Sequence, residues 1–391
     1  MFKRNERVQN KLNCILVEEN RSDYDGMTNY LRKFIVADDA TYDAAYIMMF
    51  QMGKGISEKM YYNLSDIDTL HLDQSWWDSV LIDATRIGDK IYFASSSAHL
   101  MLWELLWCLY FNEQMMTDNG LEFPYQLVRD GKWTFDEFLK YCGAASNLNG
   151  DDKFSIKEDG KSVSGCSAFD NAVPKFLFGF DAHYVIKDES GTPVIDCGQR
   201  FVDASQRLAK FLGDKSLFLN MGGESDNLRI FKQNRSLFLC AEIKSSLNMR
   251  DLEQTFGILP LPKYDENQAD YHSTSAHQSA VFTIPVSNKN PEEIGLIFDA
   301  LSYESDKSVL PKYFKYRVEQ KGMRNDESIE MLQIIKKTRS YDIGVAYQWV
   351  NSLVDRINTK LLDGNSDVLS TIDAAKKTVN NNIQATLDAM E

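Results

Sequence analysis

The run Phe256-Gly-Ile-Leu-Pro-Leu-Pro-Lys-Tyr264, followed after a polar gap by Ala280-Val-Phe-Thr-Ile-Pro285, constrains the fold of this chain more than any other stretch. Each piece reads as a short apolar strand closed by proline. Proline has no N–H to give to a sheet ladder, so each run must leave its sheet at that point. Between the two lie Tyr271, His272, His277 and Gln278. A chain that exits one sheet, crosses an irregular segment and enters another is what a two-lobed protein needs at its hinge.

The length agrees, since 391 residues exceed what one ordinary core absorbs. With 43% hydrophobic and 26% charged residues the chain is globular. Aromatics reach 12%, enough for stacking plates against a ligand as well as for a core. The net charge of −14 repels phosphate backbones and argues against nucleic acid. The most apolar window, Leu100 to Phe111, carries Glu104 and falls short of the roughly 18 residues a membrane span requires. Six cysteines show no CxxC or metal spacing, and Cys108, Cys142 and Cys240 sit in apolar patterns that suit buried free thiols.

Strand and helix signals alternate throughout, which sets the class as α/β. Strands are predicted at Cys14–Val17, Tyr42–Phe50, Lys90–Ala94, Leu106–Phe111 and Ser236–Cys240. The continuous apolar character of Tyr42–Phe50 predicts a parallel sheet covered on both faces. A turn is expected at Gly53–Gly55, and a hairpin over Val185–Ile195 with Gly191 at its tip. Thr134 with Glu137 forms a capping box before one helix, and Asn290-Pro291 opens another. The chain closes in a long helix bearing Leu369, Ile372, Val379, Ile383 and Leu387 on one face.

Several segments, in this order, resemble a branch of the family-1 extracellular solute-binding proteins, the ligand-capturing lipoproteins of ABC importers in Gram-positive bacteria. They are Tyr42-Asp43, Gln74-Ser-Trp-Trp-Asp78, Gly88-Asp-Lys-Ile-Tyr-Phe93, Tyr110-Phe-Asn112, Leu127-Val-Arg-Asp-Gly-Lys-Trp-Thr134, Phe256 to Tyr264 with Gln268 and Tyr271, and Tyr341-Asp-Ile-Gly344. The resemblance implies a periplasmic-binding-protein-like fold: two discontinuous α/β lobes joined by a hinge, with a ligand cleft between them. Lobe one is expected over 1–108 plus 265–303 and lobe two over 109–264 plus 304–391, with crossings near 108, 260 and 304. Family members begin with a signal peptide, a lipid-modified cysteine and a first strand. Here Arg4-Asn-Glu-Arg-Val8 matches the back of the first helix, so the expectation is an N-terminally truncated copy of a surface-anchored extracellular protein.

On that topology four loops face the cleft. Met48–Met52 offers Gln51 but is Met-rich, which weakens a sugar reading. Ser95–Glu104 offers His99, Trp103 and Glu104. Ser167–Asn171 offers Asp170. Ala241–Lys244 offers Glu242 and Lys244, with Asp342 and Trp349 as further candidates near the last return, while Trp76 and Trp77 read as packing. Flat rings stack on sugar C–H faces, and carboxylates, amides and imidazoles bond hydroxyls. Separately, Asn147, Asn149, Asp151, Lys153, Ser155 and Glu158 stand at the six ligand positions of an EF-hand-like calcium loop. Asn replaces the first Asp, and Asp152 replaces the turn glycine, so the loop reads as degenerate.

No nucleophile elbow, P-loop or zinc-protease motif is present. The expected function is a non-enzymatic, monomeric solute-binding component of an ABC importer. It captures a carbohydrate or oligosaccharide by lobe closure, delivers it to the permease and needs no cofactor beyond structural calcium. The alternatives are a glycoside-active enzyme with paired carboxylates and a surface sensor or adhesin.

Overall fold

The computed structural model describes residues 1–21, 26–222, 224–275, 278–319 and 325–391, so His277 lies outside the described residues. Its strands are β1 (Ala45–Met48), β2 (Trp107–Asn112), β3 (Ser164–Ala168), β4 (Val185–Lys187), β5 (Pro193–Ile195), β6 (Phe218–Asn220), β7 (Ser236–Glu242), β8 (Phe256–Leu259) and β9 (Ala280–Thr283). Five make one mixed sheet in the order β6-β3-β7-β2-β8. In it β3 runs parallel to β6 and β7, while β2 runs antiparallel to β7 and β8. Every residue of β2 is buried, as its unbroken apolar run requires. Helices Phe135–Ala145 and Ala172–Gly179 cover the sheet with an aromatic cluster, in which Phe138 lies 5.0 Å from Phe238 and Phe135 lies 4.8 Å from Phe180. Thr134 caps the first of these helices, its Oγ1 accepting from Glu137 N.

The second sheet is the pair β1 and β9, antiparallel, with Ala45 opposite Thr283. Helix Phe2–Leu12 lies along helix Pro291–Ser308. Arg4 Nη1 donates to Ser305 Oγ and to Ala98 O, each at 2.9 Å, and Arg7 pairs with Glu304 at 2.7 Å. Trp76 and Trp77 both donate their indole N–H to Asp299 at 2.9 Å, in keeping with their reading as packing residues.

Four expectations fail here. β1 is antiparallel to its partner, because an apolar run encodes burial and not strand direction. Lys90–Ala94 forms no strand and makes isolated bridges, of Lys90 to Ile87 and of Ala94 to Phe282. Cys14–Val17 is also outside any strand. Asn13 turns left-handed at φ 51 to end the first helix, and Ile15 and Val17 stay 85% and 89% exposed, since no described strand lies beside them to complete a ladder. Gly53 and Gly55 sit inside helix Met52–Ser57 and serve contact, not turning: a Cβ on Gly53 would stand 1.9 Å from Tyr347 O. The β4–β5 hairpin forms with Gly191 at φ 80, and the last helix runs Leu369–Met390, although Leu369 itself is exposed. No helix among the described residues is long and apolar enough to cross a membrane.

Both proline-closed runs leave their strands as expected, β8 before Pro260 and β9 before Pro285. Between the sheets three segments lie side by side. Trp107 N donates to Thr274 O at 3.1 Å, Ser273 N donates to Thr338 O at 2.9 Å, and Ser340 N donates to Ser273 O at 2.8 Å. The chain therefore changes sheets at 106–107, ahead of β2, and at 273–275, between β8 and β9, and both passages join the 338–340 segment in a narrow hydrogen-bonded ribbon.

Candidate functional site

The C-terminal ends of β3 and β7 and the start of β2 open at the same edge of the large sheet, next to this ribbon. Trp107 stands opposite Glu242 in the ladder, so the two side chains share a face. Tyr110 fixes the turn after β7: its hydroxyl, buried among apolar groups, meets Glu242 O and Ile243 O at 2.9 Å and accepts from Ser246 N at 3.2 Å. Burial pushes the Tyr110 phenol well above its ordinary range, so it stays neutral. Glu242 is half-buried and makes no direct bond with a described side chain, whereas Lys244 is exposed. Asp170 is exposed just past Phe169, whose half-buried ring sits 5.3 Å from Trp107.

Across the ribbon, helix Met101–Glu104 carries Trp103 and Glu104, both half-buried. The Trp103 ring meets Phe314 edge-on at 5.9 Å and the Arg339 guanidinium at 4.5 Å. His99 stacks on Tyr46 at 4.6 Å, and burial holds its imidazole below the usual value, hence neutral. Between these elements a cavity of about 50 Å³ is lined by Trp77, Asp78, Ser96, Leu102, Trp103 and Arg339, room for a water or two.

Other predicted site residues are engaged within the protein. Gln51 is buried, and its Oε1 accepts from Thr28 N at 3.0 Å at the start of helix Met27–Val36. Asp342 is buried; its carboxylate accepts from Tyr184 N at 2.6 Å, Val185 N at 3.3 Å and Val345 N at 3.0 Å. Trp349 is buried against Tyr347 and donates to Thr386 Oγ1 at 2.8 Å.

The calcium-like loop does not fit a metal. Asp151 Oδ2 accepts from Lys161 N and Ser162 N at 2.7 and 2.8 Å, bonds that hold its carboxyl below the usual range, and Asn147 Oδ1 accepts from Asn149 N at 2.8 Å. Asn149 turns left-handed and gives its amide to Lys161 O. The carbonyls of Ser155, Lys157 and Ser162 turn instead to the guanidinium of Arg235, at 2.7, 2.5 and 3.2 Å. A Cβ on Gly160 would stand 2.4 Å from that guanidinium. Lys153 and Glu158 are exposed. An arginine just ahead of β7 thus draws the carbonyls of this loop to itself. Among the described residues no group of three or more His, Cys, Asp or Glu is arranged to hold a metal ion.

Sequence reasoning missed Arg235, Arg339 and Lys175. The first two carried no pattern. Lys175 did carry one, as a lone lysine inside the apolar helix Ala172–Gly179.

No family model matches the chain, and no curated protein matches it. Solved structures do. An ABC substrate-binding protein of Listeria monocytogenes in complex with cycloalternan aligns over 98% of this chain and 95% of its own, with 13% identity and a TM-score of 0.65. A cyclo/maltodextrin-binding protein complexed with maltotetraose covers 100% and 93%, with 15% identity and a TM-score of 0.64. UgpB of Mycobacterium tuberculosis, in complex with glycerophosphocholine, covers 99% and 94%, with 13% identity and a TM-score of 0.61. The fold is that of the ABC substrate-binding proteins. The 106–107, 273–275 and 338–340 ribbon lies between the five-stranded sheet and the β1–β9 pair.

Proposed function

We propose that the chain is the solute-binding component of an ABC importer, not an enzyme, and that it captures a carbohydrate or oligosaccharide by closing its two lobes. The observation that supports this is the match of nearly its whole length to substrate-binding proteins, among them structures holding cycloalternan and maltotetraose. The narrow ribbon of three segments suits hinge closure, because few backbone dihedrals must absorb the motion. The lobes are taken as 1–108 plus 265–303 and 109–264 plus 304–391, with an extracellular, surface-anchored setting and a permease as partner. Glu242, Asp170 and Lys244 from one lobe, and His99, Trp103 and Glu104 from the other, are the ligand contacts on this reading.

Thermal-shift screening against a library of oligosaccharides and peptides tests it. A sugar present at 100 times its Kd is expected to stabilise the fold by about 2.7 kcal/mol. Stabilisation by peptides alone overturns the ligand class, and no stabilisation by any compound overturns the function.

A further inference from the structure

Lys175 is 4% exposed, yet its ammonium makes no hydrogen bond or ion pair with any described residue. Its Nζ stands over the Trp107 ring, 5.8 Å from the centroid. The indole Nε1 of Trp107 is itself fully buried and has no acceptor. The indole N–H therefore lacks an acceptor at the cleft edge of the large sheet, beside an ammonium held over the same ring. Glu242 stands opposite Trp107 in the ladder and acts on Lys175 through its charge without touching it.

Leaving a charge buried and unbonded is costly, and protein interiors seldom retain one without a use. We propose that Trp107 Nε1, Lys175 Nζ and the Glu242 carboxylate form a subsite for a hydroxyl group of the bound solute. This deepens the solute-capture reading and rests on it. A hydroxyl oxygen has two acceptor positions and one proton. The indole and the ammonium donate to the oxygen, and the proton goes to Glu242. An anionic group would satisfy the ammonium but would face the carboxylate of Glu242, whereas a hydroxyl satisfies all three. Phe169 packs against the Trp107 ring, with the centroids 5.3 Å apart, and walls the subsite. Burial lowers the Lys175 ammonium to about 8, partly offset by Glu242, and a bound hydroxyl oxygen raises it again.

The test compares the whole wild-type chain with Lys175→Met and Glu242→Gln, using maltotetraose in titration calorimetry and thermal melts without ligand. Lys175→Met keeps an unbranched side chain one atom shorter and removes the charge. It is expected to melt higher than wild type when empty, and to bind maltotetraose at least tenfold more weakly. Wild-type affinity is expected to fall as pH rises from 7 through 8 to 9.5, while Lys175→Met shows no such fall. A Lys175→Met protein that melts lower when empty, or binds with wild-type affinity and an unchanged pH profile, overturns the subsite. If wild type binds no sugar, the capture function has failed. The empty-state melts still decide on the cost of the buried ammonium: a higher melting temperature in Lys175→Met supports it, and an equal or lower one overturns it.

Discussion

Arg339 reaches from the 338–340 segment of the ribbon to the Asp78 carboxylate, 2.8 Å away, with both side chains almost wholly buried. Asp78 also accepts from Leu81 N at 3.2 Å, so the ion pair ties the start of helix Ser79–Thr85 to the ribbon. The guanidinium lies on Trp103 besides, which joins hinge and cleft wall in one contact.

Removing one member of such a pair leaves the other charge buried. Arg339→Met is expected to destabilise the chain by about 3–5 kcal/mol, read from the midpoint of denaturant unfolding. The double variant Arg339→Met with Asp78→Asn is expected to recover part of that loss. A single variant within about 0.5 kcal/mol of wild type would show that the pair holds nothing.

The loop over residues 147–162 is organised by Arg235, which bonds three of its carbonyls. Arg235→Ala is expected to lower stability by about 2 kcal/mol or more, since hydrogen bonds to charged groups carry about 1.5–3 kcal/mol each. Neither calcium nor a chelator is expected to move the wild-type melting temperature. A calcium-dependent rise would return the loop to the EF-hand reading.

His183 gives a pH signature. Burial pushes its imidazolium down, but the carboxylates of Asp181 and Asp342, 3.3 and 3.7 Å away, outweigh this and raise its pKa to about 9. A folded pKa above the unfolded value of about 6.5 means that the charged form favours folding. The contribution is complete below pH 6.5 and is lost as pH climbs to 9. Denaturant midpoints of wild type and His183→Asn, compared across that window, are expected to converge by up to about 3 kcal/mol. Parallel profiles would remove His183 from the balance. Neighbouring His272 shifts the other way, lowered by desolvation, so only the difference between the two proteins isolates His183.

Gly53→Ala would place a methyl 1.9 Å from the carbonyl oxygen of Tyr347, a backbone atom that cannot rotate away. A loss of about 3 kcal/mol is expected, at the upper end of overpacking costs. A loss below about 1 kcal/mol would mean that the 52–57 helix shifts freely against the Tyr347 segment.

The two-lobed frame was legible because its signals are local. Pro260, Pro262 and Pro285 end their runs for want of an N–H, Thr134 caps its helix through its own hydroxyl, and β2 runs buried and apolar or aromatic from Trp107 to Phe111. The candidate site was legible only in part. Glu242 and Asp170 lie at or just past strand ends and could be placed at a sheet edge, and Trp103 belongs to the loop before β2. Gln51 and Asp342 occupy the same kind of position in sequence, yet each turns inward to backbone amides of a distant segment. No spacing announces such a partner.

Composition, proline position and hydrophobic period thus determined by themselves that this chain is α/β, passes between sheets near Pro260 and buries the strand at 107–112. These depend on the residue's own backbone and its neighbours within a few positions. Only the tertiary structure decided that β1 pairs antiparallel with β9, that Arg235 takes the centre of the calcium-like loop, and that Lys175 lies unbonded beside Trp107. Each is a contact across 60 or more residues of chain, made or refused by packing, and a partner at that distance leaves no trace in local pattern.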